Sequence, residues 1–198
     1  MTENKETKCR EFFQNRNKLG RNFWNDLGKK HPCCECELVS VSDYSPGPVN
    51  DHETLLSVVT SENYLSIDGC IEPTFFEQRI TNGMSTDRKG YTSQQSHNLR
   101  ATKLVEGNNK KKNCGSIEIS AKTIREINHH GMRAIAVYDT ALSENISHAE
   151  IAGTEVPLKG AKDRRILRAK LRKSVLNATL HNRLVLESSE LFLYGNSR

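Results

Sequence analysis

Between Lys159 and Lys173 the chain reads KGAKDRRILRAKLRK, with eight cations against the single acid Asp163, a net +7. The whole chain carries a formal charge of only +5. Positive charge gathered this locally is an electrostatic footprint for a polyanion or an acidic partner, and each phosphate contact would release counterions. The expected contacts to nucleic-acid backbone are Arg164, Arg165, Arg168, Lys170, Arg172 and Lys173. The loop-borne run Lys110, Lys111 and Lys112 adds a second cluster. There is no helix-turn-helix, RNA-recognition or finger pattern, so sequence-specific readout is not expected. An acidic protein surface would satisfy the same arginines.

A second chemistry belongs to thiols. Cys33-Cys34-Glu35-Cys36 contains one CxxC pair, with His31 two residues upstream. Zinc takes four Cys or His ligands in a tetrahedral array, and a CxxC turn supplies two of them. Cys33 and Cys36 with His31 and Cys9 make the expected zinc set, and a metal-free cluster of reduced thiols is the alternative. A second CxxC, which a zinc ribbon would show, is absent.

A third chemistry would be acid–base or nucleophilic, drawn from His52, Asp68, Ser85, Asp87, Arg88, His148 and Glu150. Several of these fall at strand ends, where sites in α/β folds are built. They outline a small enzyme acting on a nucleotide or nucleic acid, with its site near Ser85, Arg88 and His148. No phosphate-cradling glycine loop, GxSxG elbow or HExxH motif accompanies them. Their plainer roles are turn and strand-end polarity, with His148 a hydrogen-bonded core histidine. His129 and His130 are read as cations at a helix C-terminus.

These residues need a scaffold, and the composition makes it a thin one. The 198 residues are 35% hydrophobic, about 41% with the 12 glycines, below the roughly 45–50% usual for a globular domain. No run reaches the roughly 20 apolar residues of a membrane span, and the first residues lack the apolar core of a signal peptide. A cytoplasmic protein with six reduced cysteines and no disulfide framework is the expectation.

Residues 1–48 form a basic aromatic arm ending in the cysteine-rich knot. Phe12, Phe13, Leu19, Phe23, Trp24 and Leu27 recur at three- and four-residue steps, as on short amphipathic helices. Such an arm either packs on its own domain or offers its aromatics to a protein partner. A turn at Ser45-Pro46-Gly47-Pro48 separates it from residues 49–198. A short strand is expected at Leu38–Val41 in the arm, and beyond the turn strands are expected at Leu55–Val59, Tyr64–Ile67, Gly83–Asp87, Ser116–Ile119, Met132–Tyr138 and His148–Gly153. Residues 77–115 otherwise read as a long polar loop. Ser120 caps a helix to His130, giving a strand–helix–strand unit, and the basic helix runs from Ala161 to about Leu180. The tail RLVLESSELFLYG gives two more strands. The fold class is α/β or α+β, a mixed sheet with a few helices.

The segment order DHETLLSVV (51–59), SIDGCIEPTFF (66–76), GMSTDR (83–88) and SHAEIAG (147–153), followed by a basic helix, resembles an uncharacterised bacterial domain family. That family has a leucine-rich opening strand, an Asp-Gly turn and a late Ala-His-Ala strand. Thr74 stands where a small serine pair is usual, and Ser147 precedes the histidine. The resemblance covers about residues 51–173 and implies a coherent domain, with no activity to carry over. Together these features describe a non-catalytic subunit of a bacterial multi-protein assembly, binding nucleic-acid backbone and a protein partner. A small enzyme, or a structural subunit binding an acidic protein surface, are the alternatives.

Overall fold

The computed structural model describes residues 4–77, 82–154 and 160–180. Helices α1 (Lys5–Gln14), α2 (Arg16–Leu19) and α3 (Phe23–Lys30) open the chain and lead into a 3₁₀ segment at Pro32–Leu38. Strands β1 (Thr54–Val58) and β2 (Met84–Arg88) follow, then helix α4 (Gln94–Val105) and strand β3 (Gly115–Ser120). A short helix α5 (Ala121–Arg125) precedes the ribbon β4 (Asn128–His129) and β5 (Met132–Arg133). Strands β6 (Ile135–Asp139) and β7 (His148–Gly153), helix α6 (Ala161–Lys173) and strand β8 (Val175–Leu180) complete it.

Six strands form one sheet in the order β6-β7-β2-β1-β3-β8, with every neighbouring pair antiparallel. The α+β form of the expected fold class is therefore what the chain adopts. The strand–helix–strand unit exists, but its two strands do not pair. β3 and β6 run the same way with β1, β2 and β7 between them, so the chain crosses the sheet through α5 and the β4–β5 ribbon.

Both faces of the sheet are covered. On one, Leu55, Ile117, Ile119, Ile135, Val137, Ala149 and Ile151 pack against Phe75, Phe76, Ile124, Leu167 and Leu171. On the other, Ala136, Tyr138 and Ala152 pack against Phe12, Phe13, Phe23, Trp24 and Leu27 of the arm. A strand buried on both faces reads as a continuous apolar run, which is why Ile135–Tyr138 carries no alternation. The arm's aromatics are thus spent on this second core and do not form a protein-docking surface.

Polar contacts stitch the arm down. Buried Glu37 accepts from Arg125 Nε at 2.8 Å, from Arg133, and from the Val137 backbone N–H at 2.6 Å. Glu150, 2% exposed, holds the Arg16 guanidinium in a two-pronged pair. The Trp24 ring lies where a Cβ on Gly83 would approach to 2.7 Å, so only glycine allows this contact.

Four expectations differ from the structure. Residues 38–41 and 64–67 are not strands: the first follows the 3₁₀ segment, and the second makes only an isolated bridge, Leu65 to Ile71. The loop at 77–115 contains α4, whose buried face is His97 and Ala101 and so gives no apolar periodicity. The basic helix stops at Lys173; Val175 to Leu180 pair with β3. His129 and His130 sit on a hairpin, not a helix end: His130 and Gly131 have φ 52 and 76, the two positive values of a tight hairpin turn. The tail strands lie outside the described residues.

Arg88 is fully buried on the first face. It donates to both Glu53 carboxylate oxygens at 2.7 Å, to Gly47 O at 2.6 Å and to Asp139 at 3.4 Å. Burial pushes the Asp139 carboxyl up to about 6, against the pull of Arg88. A carboxyl that is easier to protonate in the folded state stabilises the fold fully below its ordinary value of 3.8, and that contribution is lost as pH rises through about 6. Wild type should therefore lose up to about 3 kcal/mol relative to Asp139→Asn between pH 4 and 7. Paired denaturant titrations at each pH measure the difference, and parallel curves would refute it.

Candidate functional site

The cationic surface is built by α6. Leu167 and Leu171 anchor it in the first core, and apart from Ala161, Ile166 and Ala169 its other residues are charged. The row Arg164, Arg168, Arg172 is broken at its centre, because Arg168 pairs with Glu77 at 2.9 Å. Lys170 donates to the Asn128 carbonyl. Arg164, Arg165, Arg172 and Lys173 are exposed and have no carboxylate partner among the described residues. Asp163, the helix's only acid, turns toward His129 at 3.3 Å and His130 at 3.7 Å.

The lysine run does not extend this surface. Lys112 pairs with Glu62 at 2.5 Å, and Lys110 is exposed. Lys111 lines a cleft on the second face, whereas α6 covers the first.

That cleft, of about 390 Å³, is lined by residues of β1, β2 and α4, with Lys111, Asn145 and His148. Its polar lining includes Ser85, Asp87, His97, Arg100, Lys111 and His148. Two of the three expected enzyme residues, Ser85 and His148, are brought together there. Arg88 is not, because adjacent residues of a strand point to opposite faces. His148 accepts or donates at Nδ1 with Thr140 Oγ1 and Thr140 O, both at 2.9 Å. His52 and Asp68 are exposed elsewhere, and Glu150 is occupied by Arg16.

Asp87 and His97 of the cleft's lining belong to an array the sequence did not disclose, completed by Ser116 beside His97. Asp87 accepts from His97 Nδ1 at 2.6 Å, and His97 Nε2 lies 2.8 Å from Ser116 Oγ. A carboxylate can only accept, so Nδ1 carries a proton, and Nε2 is the ring atom that faces the serine hydroxyl. Asp87 also accepts from Arg100 Nη2 at 2.9 Å, Asn145 at 2.8 Å and Ser147 at 3.2 Å. Burial raises the Asp87 carboxyl, but the hydrogen bonds from His97, Asn145 and Arg100 outweigh it and hold it well below the usual carboxylate range. The carboxylate is therefore ionised under any ordinary condition. His97 is 1% exposed, while Ser116 is half-buried at the border of the sheet surface. Serine, histidine and aspartate in this relation are recognised by geometry and not by position in the chain.

The cysteine knot is resolved differently from expectation. Cys9 and Cys36 form a disulfide, with Cα atoms 5.4 Å apart, correcting the reading of all six thiols as reduced. The pairing joins α1 to the 3₁₀ segment over 27 residues, a separation that the nearby CxxC spacing conceals. His31 Nδ1 stands 3.9 Å from Cys9 Sγ and 3.1 Å from Glu35. Cys9, His31 and Cys36 present a buried three-ligand group that could hold a metal once the disulfide is open. The Cys33 side chain lies outside the described residues, and Cys34 is buried and not part of the disulfide.

No family model, curated protein or solved structure matches the chain, so the resemblance in segment order has no match behind it. Among the described residues no helix is long and apolar enough to cross a membrane.

Proposed function

We propose that the protein is a non-catalytic subunit that binds nucleic-acid backbone through α6. The observation that supports this reading is the set of exposed cations, Arg164, Arg165, Arg172 and Lys173, with no carboxylate partner among the described residues, on a helix anchored by Leu167 and Leu171. A fold that needed these charges for its own stability would have paired them, as it pairs Arg16, Arg88, Arg125 and Arg133. Held on a rigid helix, they act as point charges for phosphates, with no groups placed to read bases. An acidic protein surface is the competing ligand. Zinc at Cys9, His31 and Cys36 belongs to the reduced state of the arm.

A specific observation favours a second reading, a phosphate-ester hydrolase in the cleft. Ser116 Oγ would attack phosphorus as its proton passes to His97 Nε2. The leaving alkoxide would take that proton; water, giving a proton to His97 Nε2, would then attack the phosphorylserine, releasing phosphate as the proton returns to Ser116 Oγ. Arg100 and Lys111 supply the positive charge such a substrate needs.

Three measurements test these readings. In mobility-shift titrations, wild type should bind single- and double-stranded DNA and RNA without sequence preference. Arg164→Ala/Arg165→Ala/Arg172→Ala should bind more weakly, with a log K against log salt slope shallower by about 2–3. Equal binding by both proteins rejects the nucleic-acid reading. For the cleft, a fluorophosphonate probe should modify Ser116, mapped by mass spectrometry, and His97→Gln should abolish the adduct while the fold persists. An unmodified wild-type Ser116 rejects the hydrolase. For the knot, one zinc equivalent should be taken up only after reduction, and Cys9→Ser should prevent it; uptake by Cys9→Ser would reject this ligand set.

A further inference from the structure

We infer that His129, His130 and Asp163 form a binding site for a divalent first-row transition metal ion. The three ligand atoms lie within 4.8 Å of one another, on two elements that meet only in the folded protein. His129 Nε2 is the telling atom. Its residue is 6% exposed, and the nitrogen is buried with no hydrogen-bond partner among the described residues, although Asp163 Oδ1 is 3.3 Å away. The approach is close but not aligned for donation. Buried imidazole nitrogens are ordinarily satisfied, so this one calls for a ligand that needs proximity and not linear N–H geometry.

A metal ion meets that need. Zinc at about 2.0–2.2 Å from nitrogen and oxygen ligands sets tetrahedral edges of about 3.4 Å. The observed separations, 3.3 Å from His129 to Asp163 Oδ1 and 3.7 Å from His130 to Asp163 Oδ2, lie near that edge, one to each carboxylate oxygen. The backbone is arranged to the same end. In a straight strand His129 and His130 would face opposite ways, but the left-handed φ of 52 at His130 brings the rings to 4.1 Å between centroids. A non-glycine residue in that region costs conformational energy, which a ligand bond offsets. The carboxylate is equally marked. Asp163 is the single acid of the cationic helix, and it faces the hairpin. Two imidazoles and one carboxylate suit zinc and its neighbours, not the hard, oxygen-seeking calcium or magnesium. Three protein ligands leave at least one position for water or an anion, on the side where His130 is 55% exposed.

The test uses the full chain, treated with chelator and kept without reductant so that the Cys9–Cys36 disulfide stays closed. Calorimetric titration with zinc should show one equivalent bound at micromolar Kd or tighter. His130→Asn changes an exposed side chain and should leave the melting temperature of the metal-free protein unchanged while weakening zinc at least tenfold. Asp163→Asn should do the same. Cobalt in place of zinc should give a visible spectrum without a thiolate charge-transfer band, separating this site from the cysteine knot. Undiminished binding by His130→Asn, no binding by wild type, or a thiolate band would each overturn the assignment.

Discussion

The structure depends on holding two opposite charges on either side of one strand. Asp87 and Arg88 are neighbours in β2, and β2 lies inside the sheet, so each is removed from water on its own face. Neither charge can be left unmatched there, since breaking one partner from a buried ion pair typically costs about 3–5 kcal/mol. Arg88 therefore recruits Glu53, Asp139 and the carbonyls of Gly47 and Pro48. Asp87 recruits His97 and Arg100 from α4, with Asn145 and Ser147 from the turn before β7. Two faces, two loops and a helix are tied to the same two residues. The cleft exists because α4 is pinned there.

The arm follows the same rule with the signs exchanged. It brings one carboxylate, Glu37, into the sheet's edge, where Arg125, Arg133 and a backbone N–H receive it, and one guanidinium, Arg16, to meet Glu150. The net positive charge of the arm is thus partly consumed internally. That contrast gives the exposed face of α6 its meaning: most deeply placed cations in this molecule have partners, and those on α6 chiefly do not.

How far the sequence disclosed this depends on what each element buries. β1, β3, β6 and β7 bury Leu, Ile, Val or Ala and were legible as alternating or apolar runs. α4 was not, because the residues it buries are His97 and Ala101; the remaining signals were Ser93 as a cap, accepting from Ser96 N, and the absence of glycine and proline from Tyr91 to Val105. β8 was absorbed into the basic helix because Leu171, Val175 and Leu176 also fit a helical period. Asp87 could be picked out as a polar residue at a strand end. Its partner His97, and Ser116 which His97 meets in turn, stand 10 and 29 positions away on other elements, and spacing in one dimension does not carry that relation. The Cys9–Cys36 bridge was hidden for the same reason.

The seating of Trp24 has an optical consequence. It is the chain's only tryptophan, packed 5.4 Å from the Tyr138 ring and against the backbone at Gly83. Its emission comes from the seam between the N-terminal helices and the sheet. Indole fluorescence therefore reports whether that seam is closed, and a red-shifted spectrum marks a molecule in which Trp24 has left it for water.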